Sequence, residues 1–188
     1  MVEWSELLLP ALGASVLVFI ASSVIHMVLQ LHKAEYRKLA NEDDVRAALR
    51  AGAPAPGQYL VPHCADPKEM GSPEFVRKLE EGVNAVVYVR PTGQVKLGQF
   101  LAKWFAYTLL VGLLAGYVAM ATLPRGVEYL TVFRVVGVTA WLGYAWQGPS
   151  DSIWMGKPWS LTARSMVDGL VYALLTAGTF AWLWPGTA

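Results

Sequence analysis

The feature that most constrains this chain is the apolar stretch at residues 101–123, LAKWFAYTLLVGLLAGYVAMATL. A helix needs about 20 residues to cross the bilayer core, and this stretch has that length. Its one charged residue, Lys103, lies near its start. Gly112 and Gly116 have the small-xxx-small spacing that lets two helices approach closely. The stretch therefore predicts a transmembrane helix that packs against a neighbour.

Three further apolar stretches have similar lengths, and the composition agrees with a membrane protein. The chain of 188 residues is 55% apolar and only 15% charged, whereas soluble domains have roughly 25% charged residues. The predicted fold class is an all-α membrane protein, a four-transmembrane-helix bundle with a small cytoplasmic α+β insertion between helices 1 and 2. The predicted domains are helix 1 within residues 1–31, the insertion at 32–99, and helices 2–4 within 100–188, at about 101–123, 127–146 and 161–184.

Charges at the ends of the first stretch predict its orientation. Glu3 and Glu6 precede it, and Lys33, Arg37 and Lys38 follow it. Cytoplasmic loops carry the excess of Lys and Arg, so we expect the insertion in the cytoplasm and both termini outside. The acidic start, without Lys or Arg, also argues against a cleavable signal peptide.

Short elements are predicted in the insertion and after the third span. A helix is expected from Asn41 to Gly52 and another from Ser72 to Gly82, because both begin with capping residues and end at glycine. Strands are expected at residues 58–61 and 84–89, and a turn at 91–93 predicts a hairpin with 94–97. Residues 147–151 predict a break, and 152–159 a tryptophan-rich interfacial segment.

Polar side chains inside the predicted spans are the first candidates for a functional site. Ser22 and His26 share one sector of the first helix, and Asp168 and Tyr172 share one sector of the fourth. His26 and Asp168 lie at similar depths, so we expect them to approach each other. Arg134 is nearer the other side and is expected beside an aromatic ring, a bound anion or a lipid head group. The polar seam is interpreted either as an ion or proton path or as a polar pair that fixes helix register.

A metal or haem site is the next candidate, with His32, His63 and Cys64 as potential ligands. His26 and His32 are six residues apart and point about 120° away from each other on a straight helix, so they are not expected to share an ion. One cysteine excludes an intramolecular disulfide. The motifs of serine hydrolases, zinc proteases and phosphate-binding loops are not present in the sequence, so no catalytic residue is assigned.

Four segments carry a resemblance to a known family. They are residues 22–27 (SSVIHM), 41–46 (NEDDVR), 56–62 (PGQYLVP) and 167–178 (VDGLVYALLTAG). The chain resembles a family of small four-span bacterial inner-membrane proteins whose activity is uncharacterised. The resemblance implies a compact inner-membrane protein, and it implies no activity, cofactor or catalytic residue.

The expected function follows from these observations. We expect a non-enzymatic integral membrane protein without a cofactor, acting as a homo-oligomer or as an accessory subunit of a larger membrane complex. Its partners would be the lipid bilayer and either itself or other membrane subunits, and its net charge of +1 gives no reason to expect nucleic acid. Gly112, Gly116, Gly169 and Ala173 are expected to pack helices. The alternatives are an ion- or proton-conducting channel or transporter using His26 and Asp168, and a membrane enzyme or a metal or haem carrier.

Overall fold

A computed structural model describes residues 2–186, and the chain divides into two units. The first unit contains the chain up to Tyr36 and again from Lys96 onward, and the second is Arg37–Val95. The segment just before Tyr36 therefore folds with the long helices and not with the insertion, whose predicted limits were 32–99.

The elements of the described residues are mainly helical, with one small sheet. In chain order the α-helices are α1 Trp4–Ser23, α2 Glu42–Gly52, α3 Pro73–Glu81, α4 Leu97–Thr122, α5 Tyr129–Ala145, α6 Gln147–Met155 and α7 Trp159–Trp182. The strands are β1 Gly57–Val61 and β2 Ala85–Val89. The mainly helical chain with a small α+β insertion is thus confirmed.

The four long helices of the first unit form a bundle. α1 packs on α4 and α7, α4 packs on α5, and α5 packs on α7, so the contacts close into a ring. The buried face of each helix is dominated by small and β-branched side chains, which let the helix axes approach closely. Its members include Leu7, Ala11, Val18, Val111, Ala115, Ala119, Val132, Val136, Ala140, Ala173, Ala177 and Phe180.

The small residues predicted to pack helices lie at contacts within this chain. A Cβ atom on Gly116 would lie 2.6 Å from the Phe180 ring, and one on Gly169 would lie 2.7 Å from Cβ of Ala145. Gly112 is less tightly packed, because a Cβ atom there would lie 3.6 Å from its nearest neighbour, on α1. Ala173 is 1% exposed. These surfaces hold the four helices of one chain together, so they are not free to bind a second copy.

Two features differ from the predicted elements, and the first is α6. It is helical over residues 147–155, where a break and an interfacial segment were predicted. Pro149 lies in the first turn, where a helix needs no backbone N–H donor, so it does not end the helix. The hydroxyls of Ser152 and Thr162 share a buried 2.6 Å hydrogen bond that holds α6 against α7.

The second difference is the hairpin. β2 pairs antiparallel with β1, with Tyr59 opposite Val87, so the predicted hairpin between 84–89 and 94–97 is wrong. Leu97, Phe100, Leu101 and Trp104 explain the difference, because they have the spacing of one helix face and belong to the first turns of α4.

Among the described residues, two helical segments are long and apolar enough to cross a membrane. They are Trp4–Val28 and Leu97–Thr122, with mean hydropathies of 2.3 and 1.7. α5 has only 17 residues, and α7 carries Arg164 and Asp168 in its first half.

One end of the bundle, the terminal end, joins the start of α1, the α4–α5 turn and the end of α7. Arg125 forms two 2.7 Å hydrogen bonds to the carboxylate of Glu6. The indole of Trp184 donates to the carbonyl of Pro124 at 3.1 Å. The first and last helices are therefore fixed at the same end, as in an up-and-down bundle.

Candidate functional site

A break after the first long helix creates the candidate site at the opposite end of the bundle. α1 continues as one π-helical turn, Val24–Val28, and the chain then reverses at Gln30, whose φ is +49°. A 3₁₀ turn, Lys33–Glu35, follows. The rings of His26 and His32 stack as a result, with centroids 4.6 Å apart and planes inclined by 27°. The prediction that the two histidines point apart is wrong, because the helix does not continue to residue 32.

Four side chains meet at this reversal, and we call His26, His32, Glu35 and Asp168 the histidine–carboxylate cluster. Oδ2 of Asp168 lies 2.7 Å from Nε2 of His32 and 3.8 Å from Nε2 of His26. Nδ1 of His32 lies 2.8 Å from Oε1 of Glu35. The structure therefore brings together His26 and Asp168, as the sequence led us to expect, and adds two residues that sequence reasoning did not place there.

The cluster is buried on one side and open on the other. The side chains of His32, Glu35 and Asp168 are 13%, 12% and 15% exposed, whereas that of His26 is 48% exposed. Arg164 lies at the solvent side, with its guanidinium 3.4 Å from Glu35. Two half-buried carboxylates thus face one exposed guanidinium, so one more positive charge at the cluster would be balanced.

Hydrogen bonding determines which ring nitrogen of His32 is available to bind a cation. An ionised carboxylate only accepts, so Nδ1 must donate to Glu35. In the neutral ring, Nε2 then carries the lone pair, and this lone pair lies beside a carboxylate oxygen. Nε2 is buried and makes no directed hydrogen bond, despite its proximity to Asp168. For a neutral ring this approach is unfavourable, and a cation held by both atoms would make it favourable.

Aromatic side chains from α4, α5 and α7 form the wall of the cluster. The hydroxyl of Tyr172 is 3.3 Å from Nε2 of His26. Trp104 donates to Oγ of Ser22 at 2.9 Å and packs edge-on against Tyr172, with centroids 5.8 Å apart. Tyr144 packs edge-on on the same ring at 5.7 Å. Three helices therefore fix the ring of Tyr172 beside His26.

The buried hydroxyls further along α1 and α7 form hydrogen bonds within their own helices. Ser15 donates to the carbonyl of Ala11 at 2.7 Å, and Thr176 donates to the carbonyl of Tyr172 at 2.9 Å. Thr179 does the same one turn further on. Such bonds allow hydroxyls to be buried in an apolar bundle. The functional candidates of the seam are therefore those near its cluster end.

Arg134 and the two ligand candidates of the insertion are not members of the cluster. Arg134 is exposed on α5 and lines a shallow apolar groove with Trp141 and Leu174. His63 and Cys64 belong to the second unit, where Sγ of Cys64 is 3.0 Å from the carbonyl oxygen of Asp66. Within the described residues, His26, His32 and Asp168 are the side chains grouped closely enough to be metal ligands. The predicted set of His32, His63 and Cys64 is divided between the two units.

Replacing Gln30 tests whether the chain reversal is strained. A non-glycine residue at this φ costs roughly 1 kcal/mol, and a β-branched residue costs more. We expect Gln30→Val to lower the free energy of unfolding by about 1–2 kcal/mol, whereas Gln30→Gly preserves it. Thermal unfolding of the purified full chain in detergent measures both. Leu29→Val is the matched control, because Leu29 is also exposed but has right-handed φ and ψ. Equal effects of the two valine substitutions would contradict strain at Gln30.

Comparison of the chain with protein-family models, with curated proteins and with solved structures finds no match. The function must therefore be inferred from the geometry of the bundle and of the cluster.

Proposed function

We propose that this chain is a non-enzymatic protein of a bacterial inner membrane, in which α1, α4, α5 and α7 all span the bilayer. The observation that carries the proposal is the apolar surface that each of these helices exposes. Leu9 on α1 is 66% exposed, Leu114 on α4 is 55% exposed, and Val138 on α5 and Val167 on α7 are each 60% exposed. Contiguous apolar surface of this kind is covered by lipid or by a protein partner.

The burial of α1 and α4 supports lipid as the main cover. The core helix of a soluble protein is mostly buried, but only 33% of each apolar window of Trp4–Val28 and Leu97–Thr122 is buried inside the chain. Apolar residues lie on both the inner and the outer faces of these helices. A helix that is hydrophobic all round is typical of a membrane span.

α7 is included because its charges lie near one end. Arg164 and Asp168 are within its first half, and both are engaged by the histidine–carboxylate cluster. The remaining turns expose apolar side chains such as Leu174. Charged residues in spans usually face a partner or a cavity, as these do.

The proposed orientation places the cluster on the cytoplasmic side and both termini outside. Lys33 and Arg164 lie at the cluster end, whereas Arg125 at the terminal end is neutralised by Glu6. An excess of positive charge marks the cytoplasmic side. The apolar belt would then face lipid and, in part, further copies or other membrane subunits.

Cysteine labelling tests the number of spans, since Cys64 is the only native cysteine. In intact cells, a membrane-impermeant maleimide should not modify Cys64. In a Cys64→Ser background it should modify Gly186→Cys but not Ser150→Cys, which lies between α5 and α7. If only α1 and α4 crossed the membrane, Ser150→Cys and Gly186→Cys would be modified together. Modification of all three after permeabilisation is the control for access.

Ion passage is the second candidate function, and the half-exposed ring of His26 favours it. This ring lines an apolar pocket of about 290 Å³ with Ser22, Met27 and Trp104, and Asp168 lies behind it. Reconstituted protein would then carry divalent cations into liposomes, and His26→Ala would abolish the flux. If empty liposomes, wild-type liposomes and His26→Ala liposomes all show the same flux, ion passage is excluded and the proposal of a non-conducting membrane protein remains.

A further inference from the structure

We propose that His26, His32 and Asp168 bind one divalent transition-metal ion of the zinc class. One ligand atom from each residue lies within 4.8 Å of the other two. Three side chains from two distant parts of the chain, residues 26–32 and residue 168, thus converge on one position. This inference goes beyond the proposed membrane function and does not depend on the number of spans.

The spacing of the ligand atoms is close to that of a metal site. Bonds of about 2.0–2.1 Å in a tetrahedral zinc site place neighbouring ligand atoms about 3.3 Å apart. The observed distances from Oδ2 of Asp168 are 2.7 Å to Nε2 of His32 and 3.8 Å to Nε2 of His26. These two distances bracket that value, and all three ligand atoms lie within 4.8 Å of one another.

The hydrogen bond of His32 to Glu35 is the arrangement that orients metal-binding histidines. Such histidines usually donate their second ring nitrogen to a carboxylate, which fixes the tautomer and raises the basicity of the ligand nitrogen. Here Nδ1 is 2.8 Å from Glu35, and Nε2 is left buried without a hydrogen-bond partner. Arg164 holds Glu35 from the other side. The nitrogen without a hydrogen bond is therefore the one that lies 2.7 Å from Oδ2 of Asp168.

Charge and ligand type favour a divalent transition metal over other cations. Arg164 offsets Glu35, so Asp168 is the carboxylate whose charge remains to be balanced. Imidazole ligands suit zinc, copper, iron and nickel, whereas calcium and magnesium prefer all-oxygen sites. Two histidines and one carboxylate would leave a fourth position for water. The half-exposed His26 gives access to it, and the Tyr172 hydroxyl lies 3.3 Å from that ring.

Metal titration of the full chain tests this site. The protein is purified in mild detergent, stripped with a chelator and titrated with Zn²⁺, and Co²⁺ is used as the spectroscopic probe. We expect one ion per chain and the visible absorption of tetrahedral Co²⁺. His32→Ala and Asp168→Asn should weaken binding by about 100-fold or more, because each removes a ligand. Glu35→Gln should weaken it by about 10–100-fold, since Glu35 acts through His32.

His63→Ala is the matched control, because it removes the remaining histidine, which lies in the second unit. It should bind Zn²⁺ like the wild type. Circular dichroism verifies that each variant keeps its helices. Failure of the folded wild type to bind one ion would overturn the proposal. Binding that survives Asp168→Asn but not His63→Ala would also overturn it.

The two proposals fail separately. If the chain binds zinc but cysteine labelling shows only two spans, the metal-site proposal stands and the four-span proposal fails. If labelling shows four spans but the chain binds no metal, the four-span proposal stands and the metal-site proposal fails.

Discussion

Leu174→Arg is expected to lower the equilibrium constant for membrane insertion of α7 by about 100-fold. Leu174 lies near the middle of the helix and is 46% exposed on the outside of the bundle. Arginine at the centre of a span costs about 2.5–3.5 kcal/mol on insertion scales, and every 1.4 kcal/mol corresponds to about tenfold. In water the same substitution would be nearly neutral, because an exposed leucine would simply become a solvated charge.

Labelling of Gly186→Cys from outside intact cells measures this effect in a Cys64→Ser background. We expect Leu174→Arg to reduce the labelled fraction, since α7 would no longer carry residue 186 across the membrane. Val83→Arg is the control, because Val83 is 79% exposed but lies in the second unit. Equal labelling of the two arginine variants would show that α7 does not cross the bilayer. Leu174→Ala separates loss of the side chain from gain of charge.

Most of the helices could be predicted from the sequence, because apolar runs, capping residues and prolines determine where a helix begins and ends. The long apolar stretches correspond to α1, α4, α5 and α7 to within a few residues at each end. Ser72 caps α3 as predicted, with its hydroxyl accepting from the backbone of Phe75 at 3.2 Å. Caps, prolines and apolar runs act within one or two turns, so the sequence alone reveals them.

The site could be predicted only in part, because it depends on a change of backbone direction. The depths of His26 and Asp168 in their helices were enough to predict their approach. His32 was not expected to share an ion with His26, because the helix was assumed to continue. Nothing at Gln30 indicates a left-handed residue, where glycine or asparagine is usual. Glu35 could have been noticed, since it lies three residues after His32, at the spacing of side chains that meet in one turn.

The strand pairing shows the same limit. β1 and β2 were each predicted, but the choice of partner depended on whether residues 94–97 formed a strand or the start of α4. A nearby turn favours a hairpin, but the helical spacing of the apolar residues that follow Lys96 favours the helix. The helical spacing prevails, and Leu97–Thr122 forms one continuous helix.

Phe180→Ala is expected to cause the largest loss of stability, about 3–5 kcal/mol. Phe180 is 0% exposed and is the largest side chain that the described core encloses completely. Its ring fills the space left by the missing side chain of Gly116 on α4. Truncation leaves a cavity among helices that other contacts hold in place. We expect the midpoint of thermal unfolding in detergent to fall by about 10 °C, whereas Leu174→Ala, on the exposed face of the same helix, should change it little.

Gly116→Ala tests the same contact from the other side. Its new Cβ would lie 2.6 Å from the Phe180 ring, so overpacking should cost about 1–3 kcal/mol. Gly112→Ala, one turn earlier, meets nothing closer than 3.6 Å and should be neutral or stabilising, because alanine favours a helix over glycine. In the Phe180→Ala background, Gly116→Ala should no longer destabilise, because the ring that it would strike is gone. Additive effects of the two substitutions would show that Phe180 and Gly116 do not form this contact.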